Sequence, residues 1–231
     1  MIDMSRCVWD NLESPWLEAD LAAWKPLTQD RTPLHYAEQE TIFWQNEGSP
    51  CLYIVASGRV CISRFHSSGQ ERHIYIACPG AMIGESACIL NCQQSTTATA
   101  IVDSTLYCIP YTDFGQQFRS DPALAQAVLQ YMVRKSEAFV HQIALQSFER
   151  AEQRIARTLI YLCDCYGKPV NGGIQISIHF TCSDVASIVN TSRVTVNNAM
   201  SSFAKQDMIT KLNGYYIIKD LEKLQSLAAM T

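Results

Sequence analysis

Residues 121–148 read DPALAQAVLQYMVRKSEAFVHQIALQSF, and this stretch determines how the rest of the chain is organised. Pro122 suits the first turn of a helix, where its missing N–H would have no partner anyway, and no Gly or Pro follows within the stretch. A helix of this length extends roughly 40 Å at 1.5 Å per residue. The stretch therefore predicts one long helix, with a core helix of a single large domain as the alternative.

Two stripes at heptad spacing run along this predicted helix. The first consists of Leu124, Val128, Tyr131, Lys135, Ala138, Gln142 and Leu145. The second consists of Leu129, Met132, Ser136, Phe139, Ile143 and Gln146. We expect the first stripe to pack on a domain of the same chain. The second is expected to form a homodimer interface through Leu129, Met132, Ser136, Phe139 and Ile143.

Composition limits the classes of protein to consider. The 231 residues suffice for two modest domains. No window resembles a membrane span, and the N-terminus lacks a secretory signal. Ten cysteines without a CxxC pair favour reduced thiols, so a cytoplasmic protein that does not enter a membrane is expected. The net charge of −4 argues against indiscriminate binding of polyanions.

Four segments are predicted along the chain. Residues 1–30 form an N-terminal arm or short helix containing Cys7, Trp9, Trp16 and Trp24, and the pattern does not choose between these. In residues 31–120, β-branched and aromatic runs alternate with Gly and Pro turns, which is typical of a small antiparallel barrel or sandwich. Strands are expected at residues 51–55, 59–65, 71–77 and 96–109. Residues 121–147 form the long helix, and residues 148–231 form a second domain.

The second domain has the order of a winged helix-turn-helix, which makes the whole chain α+β. A helix at residues 154–162 and a strand at residues 174–180 come first. Thr181 begins a capping box with Asp184. Ser192 is then the predicted N-cap of a second helix that ends near Gln206. Asn213-Gly214 is a hairpin signal.

The helix that begins after Ser192 has two different faces. Val196, Met200 and Phe203 share an apolar face, which predicts core positions. The opposite face carries no acidic residue and consists of Arg193, Val194, Asn197, Asn198, Ser201 and Lys205. Asn pairs with adenine edges, and an exposed Val suits a thymine methyl, so this face indicates reading of double-stranded DNA. An ordinary solvated helix face is the alternative.

Six motifs follow one another between about residues 40 and 224: LYIVASG at 52–58, GQE at 69–71, PGAMIGE at 79–85, IPYTDF at 109–114, Phe148 with RIA at 154–156, and TSRVTV at 191–196. In their order and spacing the chain resembles the CRP/FNR family of bacterial transcription regulators. This resemblance implies a cyclic-nucleotide-binding-like β-roll that senses an effector, a dimerisation helix and a winged helix-turn-helix. It also implies a homodimer on a palindromic site with half-sites about 34 Å apart, and RNA polymerase as a partner if the protein activates.

The resemblance also implies site residues. Thr181, Ser192 and Thr195 join the exposed helix face in contacting DNA. An effector is expected between the β-roll and the long helix, at Ile83, Gly84, Glu85, Ser86, Thr96, Thr97, Tyr131, Lys135 and Phe139.

Departures from the family pattern narrow the choice of effector. The cAMP-binding branch has an Arg-Ser pair where this chain has Gln94-Ser95, and a neutral amide cannot supply a charged contact to phosphate. It also has a Thr-Ser pair where this chain has Phe139-Val140. The iron–sulfur branch needs clustered N-terminal cysteines, and only Cys7 lies there. An effector other than cAMP is therefore expected.

Lys135 on an apolar stripe has two interpretations. It forms an ion pair with Glu85 or another carboxylate of the β-roll, or reaches water; alternatively it meets an anionic effector. Lys135 with Gln142-Ile143, and Val-Thr-Val at 194–196, are similar to halorespiration regulators that sense chlorinated phenols and bind AT-rich sites. Where those have Ser-Arg, this chain has Asn197-Asn198. The resemblance makes an aromatic or phenolic anion the candidate effector.

The cysteines leave a second function open. Cys163 and Cys165 diverge on a helix and cannot chelate together. Cys88 and Cys92 flank a loop, so a redox, nitric oxide or haem-linked sensor is the alternative function, with His73 and His141 as further candidate ligands. Buried thiols acting as small apolar residues are the other interpretation. No catalytic arrangement and no metal site is predicted, so the chain is not expected to be an enzyme.

Overall fold

The computed structural model describes residues 16–229. These divide into two compact units that separate after Phe139, at a position within the long helix. The predicted Cys7 and Trp9 of the arm lie outside the described residues. No helix among residues 16–229 is long and apolar enough to cross a membrane.

The first unit is built from nine strands in two sheets. They are β1 (Trp16–Leu17), β2 (Leu34–Tyr36), β3 (Thr41–Phe43), β4 (Cys51–Ser57), β5 (Val60–Phe65), β6 (Glu71–Ala77), β7 (Met82–Ile83), β8 (Thr97–Ala100) and β9 (Ser104–Pro110). One sheet has the order β1-β6-β5-β8-β3 and the other β2-β9-β4-β7. The expected β-roll is confirmed, with one parallel pairing between β1 and β6.

Four helices accompany these strands. They are α1 (Lys25–Thr28), α2 (Glu85–Leu90), α3 (Tyr111–Ser120) and α4 (Pro122–Phe148). The last is the predicted long helix. Trp24, in a short 3-10 turn at Leu21–Trp24, is buried and donates from Nε1 to the Gly80 carbonyl at 2.7 Å. The last part of the predicted arm is therefore fixed to the β-roll.

One strand predicted from the sequence is divided into two strands in the structure. The run expected at residues 96–109 breaks into β8 and β9, because the chain bends between Ala100 and Ser104 and passes from one sheet to the other. The short strands β2 and β3 had no sequence signal strong enough to be predicted. Inside the β-roll, one buried cluster includes Val60, Ile62, Tyr75 and Ala98.

The second unit contains four helices and a four-stranded sheet. They are α5 (Ala151–Tyr166), α6 (Cys182–Ile188), α7 (Arg193–Lys205) and α8 (Leu221–Ala229), with β10 (Gly167–Val170), β11 (Gly173–Ile176), β12 (Ile209–Leu212) and β13 (Tyr215–Ile218). The sheet order is β10-β11-β13-β12. This is the predicted helix, helix and hairpin order, with α8 as an additional C-terminal helix.

The strand predicted at residues 174–180 is wrong beyond Ile176. His179 and Phe180 pack against Tyr215 and Tyr216, with ring centroids 4.0 and 4.9 Å apart, instead of pairing through their backbones. Aromatic residues have high strand propensity, but side-chain packing decides the outcome here.

The local signals in this unit are confirmed. Thr181 Oγ1 accepts from the Asp184 N–H at 3.2 Å, and Ser192 Oγ accepts from the Thr195 N–H at 3.0 Å. Asn213 and Gly214 both have positive φ, 50° and 86°. Such a pair suits the two-residue hairpin turn that joins β12 to β13.

Candidate functional site

Five residues of the first stripe of α4 are buried as predicted. They are Leu124, Val128, Tyr131, Lys135 and Ala138. Four of them extend the two apolar clusters of the first unit. Lys135 is the exception, because a buried charge is unfavourable unless it is paired and hydrogen-bonded.

Lys135 is compensated by a carboxylate and a phenol. Its Nζ lies 2.7 Å from Glu85 Oε1 and donates to the Tyr75 hydroxyl at 2.7 Å. A third oxygen, the Met82 carbonyl, is 3.5 Å away. Lys135 and Glu85 are only 7% and 8% exposed. Of the two interpretations of Lys135, the ion pair with Glu85 is the one present in this structure.

Tyr75 belongs to this buried network, and sequence reasoning missed it. Burial raises the pKa of its phenol well above the ordinary value, and the Glu85 carboxylate raises it further. The phenol therefore stays protonated and able to hydrogen-bond. Its ring centroid lies 4.6 Å from Lys135 Nζ and 5.5 Å from the Phe139 ring. The alternation of the strand predicted at residues 71–77 could have identified it. Tyr75 lies on the same face of that strand as Ala77, and Ile74 and Ile76 lie on the other face.

Tyr131 fastens α4 to strand β7. Its hydroxyl accepts from the Met82 N–H at 2.9 Å and donates to the Met82 carbonyl at 3.1 Å. Its ring meets Trp24 edge-on, with centroids 5.7 Å apart. Burial raises the pKa of this phenol too.

The structure brings together only some of the predicted effector residues. Glu85, Lys135 and Phe139 meet around Tyr75, and Ile83 belongs to the same buried cluster as Tyr75. Gly84 has φ 71° and is the N-cap of α2, while Ser86 is exposed.

Thr96 and Thr97 do not join this group. Thr97 alternates in β8 with Ala98, which faces the interior, so its side chain faces the outside of the sheet. Thr96 precedes β8 and is half-buried.

Gln94 and Ser95, which stand where the cAMP-binding branch has Arg-Ser, differ in their burial. Gln94 is 1% exposed, and its Nε2 lies 3.5 Å from the Gly84 carbonyl. A neutral amide therefore occupies a buried position next to Gly84-Glu85, while Ser95 is exposed.

The second stripe of α4 is only partly exposed. Leu129, Ser136 and Ile143 are exposed, but Met132 and Phe139 are half-buried against the clusters of the β-roll. The exposed apolar positions that sequence reasoning missed are Val133 and Val140, 61% and 57% exposed. With Leu129, Ser136 and Ile143 they keep the heptad spacing of three and four residues.

The predicted face of α7 is exposed along its length. Its members are Arg193, Val194, Asn197, Asn198, Ser201 and Lys205. Val194 is 68% exposed, whereas Val196 and Phe203 on the opposite face are fully buried. No side chain on the exposed face is acidic.

The remaining predicted DNA-binding residues are hydroxyls at helix starts. Thr181 and Ser192 are the N-caps of α6 and α7, and Thr195 Oγ1 lies 2.8 Å from Ser192 Oγ. Further along α7, Ser201 Oγ donates to the Asn197 carbonyl at 2.8 Å.

The cations of α5, by contrast, make contacts within the second unit. Arg157 pairs with Glu149 at 2.7 Å, and Arg154 donates to the Val189 carbonyl at 3.0 Å.

The thiols of Cys51 and Cys88 are poorly suited to sensing. Burial, with neighbouring cysteines contributing, raises the pKa of Cys51 to about 12 and that of Cys88 to about 11. A raised pKa suppresses the reactive thiolate. Cys163 is buried and Cys165 exposed, which agrees with their predicted divergence. Among residues 16–229 no group of three or more potential ligands could hold a metal ion.

Two family models match the chain. The cyclic nucleotide-binding domain matches residues 33–121, and the Crp-like helix-turn-helix domain matches residues 153–227.

Curated relatives match over most of their length. The chain is 28% identical to the cyclic AMP receptor protein of Thermus thermophilus, over 84% of this chain and 86% of that protein. It is 26% identical to the CRP-like cAMP-activated global transcriptional regulator of Mycobacterium tuberculosis, over 86% and 88%.

Solved structures share the fold. A CRP-family transcriptional regulator from Thermus thermophilus has a TM-score of 0.73 at 20% identity, covering 86% of this chain and 97% of that one. A structure described as OCPA complexed CprK has a TM-score of 0.69 at 18% identity, covering 91% and 97%.

Proposed function

The chain belongs to the CRP/FNR family of ligand-responsive transcription regulators, and we propose that it acts as a homodimer on a palindromic, AT-rich operator under the control of an effector other than cAMP. The exposed face of α7 is the observation that carries the DNA-binding part. It offers one Arg, one Lys and two Asn to DNA and no carboxylate.

Each residue of that face has a proposed role. Asn197 and Asn198 contact base edges, where an amide pairs with adenine. Val194 contacts a thymine methyl. Arg193 contacts phosphate or guanine, and Lys205 contacts phosphate. The capped starts of α6 and α7, at Thr181 and Ser192 with Thr195, are positioned for phosphate because helix N-termini attract anions.

A binding assay tests this proposal. The full chain is titrated onto palindromic fragments from its own upstream region at several salt concentrations. We expect the affinity for the preferred fragment to exceed that for scrambled DNA by about 10³-fold or more, with a salt slope reflecting phosphate contacts. Equal affinity for both fragments would contradict operator recognition.

Dimerisation is proposed to use the exposed stripe of α4. Leu129, Val133, Val140 and Ile143 are all more than half exposed, and their spacing suits a coiled-coil seam. Half-buried Met132 and Phe139 border this stripe, with Ser136 within it. Two copies joined this way present two α7 helices, which is what a two-fold symmetric operator requires.

The effector is proposed to bind at the Lys135 network. Relatives named for cAMP favour that nucleotide, but three features of this chain do not. Gln94 is a neutral amide, Phe139 and Val140 replace hydroxyl residues, and Lys135 already has a carboxylate partner. An anion entering here must exchange with Glu85 for Lys135. The aromatic rings of Tyr75 and Phe139 favour an aromatic anion, such as a phenolate or an aromatic carboxylate.

A thermal-shift comparison tests the effector class. Chlorinated phenols and phenylacetates are compared with cAMP on the full chain and on a Glu85→Gln, Lys135→Met double variant, which leaves no unpaired buried charge. We expect an aromatic anion to raise the melting temperature of the native chain but not of the variant, and cAMP to have little effect. Stabilisation by cAMP alone would overturn this assignment without affecting DNA binding.

A further inference from the structure

A pocket lies on the outside of the first sheet. Its volume is about 480 Å³, which is within the range of small-molecule sites. The residues that line it are Trp44, Gln45, Asn46, Phe65, His66, Ser67 and Thr97. Because Thr97 faces away from the interior cluster, this pocket is distinct from the Lys135 network.

Two aromatic rings stand at this pocket. Trp44 is 52% exposed and Phe65 is 37% exposed, although both are large apolar side chains that a fold normally covers. Exposed aromatic side chains grouped around one pocket are typical of surfaces that bind flat ligands.

Hydrogen bonds hold the residues that line the pocket in place. The Gln45 amide contacts the Phe65 backbone at both ends, donating to the carbonyl at 3.2 Å and accepting from the N–H at 2.9 Å. The Gln45 N–H donates to Thr97 Oγ1 at 3.0 Å. Strand ends β3 and β5 are therefore tied together across β8, so the pocket is formed before a ligand arrives.

The polar lining selects for a neutral ligand. It contains no Lys, Arg, Asp or Glu. Nδ1 of His66 accepts from the Ser68 N–H at 3.2 Å, so a neutral His66 ring carries its proton on Nε2 and presents a donor. Asn46 supplies both a donor and an acceptor.

A buried hydroxyl without a hydrogen-bond partner lies beside Thr97 in the sheet. Ser63 is directly opposite Thr97 in the β5–β8 pairing, so both side chains lie on the same face. Ser63 is 1% exposed, and its Oγ has no hydrogen-bond partner. Buried hydroxyls without partners are rare in folded proteins and call for an explanation.

We propose that this pocket binds a neutral, flat aromatic ring that carries a donor–acceptor edge, such as an aromatic amide or a heteroaromatic base. The ring packs on Trp44 and Phe65. The polar edge bonds to Asn46 and His66, which line the pocket. This site is independent of the proposed effector at Lys135.

Benzamide and cyclohexanecarboxamide form a matched pair of probes, because they share the amide and differ in the flat ring. The full chain is labelled with ¹⁵N, and the indole N–H signals are followed during each titration. We expect benzamide to shift the Trp44 signal, which a Trp44→Phe variant identifies. The signal of buried Trp24 should stay in place. Cyclohexanecarboxamide should bind about tenfold more weakly or not at all.

Variants locate the site. Phe65→Ala should weaken benzamide binding about tenfold. Tyr111→Ala, a change at an aromatic residue that is 45% exposed outside the pocket, should have no effect.

Three results would overturn the proposal. The first is an unmoved Trp44 signal at millimolar benzamide. The second is equal binding of the two probes, since a flat ring would then not be recognised. The third is benzamide binding that survives Phe65→Ala unchanged.

Discussion

Lys135 in the β-roll unit and Val194 in the DNA-binding unit are exceptions of opposite kinds. Lys135 is a cation on a buried apolar stripe, and Val194 is an apolar side chain on an exposed polar face. Each conflicts with the simple pattern of its own helix. Natural sequences accept such conflicts mostly at functional sites.

The two exceptions have different consequences for stability. Lys135 is integrated into the fold through Glu85 and Tyr75, so removing a partner disturbs the folded state. Val194 contacts little of its own unit, so its replacement should leave folding unchanged and affect only what the surface binds. The contrast teaches that burial separates residues whose loss damages folding from residues whose loss damages only binding.

The largest expected effect is on the buried pair. Glu85→Ala leaves Lys135 buried without its carboxylate, and we expect the free energy of unfolding of the first unit to fall by about 3–5 kcal/mol. Urea unfolding followed by tryptophan fluorescence measures this, because Trp16, Trp24 and Trp44 lie in the first unit and the sequence has no Trp after residue 44.

The matched control removes both charges. A Glu85→Gln, Lys135→Met double variant should recover most of the lost stability, since no unpaired charge remains. A loss below about 1 kcal/mol in Glu85→Ala would mean that Lys135 reaches water easily.

The next effect concerns DNA binding. Val194→Glu places a carboxylate on the face proposed to enter the major groove, and operator affinity should drop by about 100-fold. Ser226→Glu adds the same charge at an exposed position of α8 and should have little effect. Unaltered operator binding by Val194→Glu would show that this face does not contact DNA.

A smaller effect is expected on self-association. Ile143 is 64% exposed on the apolar stripe of α4, so Ile143→Glu should weaken the dimer about tenfold or more through desolvation of the charge. Sedimentation equilibrium measures the change. Gln130→Glu, exposed on the same helix but off the stripe, is the control. Dissociation by both variants equally would argue that charge, and not the stripe, controls assembly.

The smallest expected effect involves the thiols. The pKa of Cys88 is about 11 in the folded chain, so alkylation by iodoacetamide at pH 8 should modify exposed Cys92 and Cys165 long before Cys88. Mass spectrometry of peptides over time gives the order. Rapid modification of Cys88 would revive the redox-sensor alternative.

The raised pKa of Cys88 also predicts a dependence of stability on pH. The pKa is raised on folding, so the contribution of Cys88 is complete below the unfolded value of about 8.5 and declines as pH rises towards 11. A Cys88→Ala variant should lose part of this alkaline decline, as measured by unfolding at pH 8 and pH 10.5.

Sequence reasoning succeeded where the signal was local. The caps at Thr181 and Ser192, the Asn213-Gly214 turn and the buried stripe of α4 each depend on residues close in the chain. Periodicity could not assign Phe139 or Val133, because the side of a helix that a partly apolar residue faces depends on the surface it packs against. Tyr75 is 60 residues from Lys135, so their hydrogen bond needed the three-dimensional fold.

The double hydrogen bond of Tyr131 constrains how a signal travels along α4. Sliding or rotating the helix by one residue against β7 breaks both bonds to Met82 at once. Residues 122–138 of α4 include every buried side chain of that helix, whereas its last ten residues have none. The anchoring of α4 to the β-roll is therefore concentrated in residues 122–138, and the effector position proposed at Lys135 lies near the end of this anchored part.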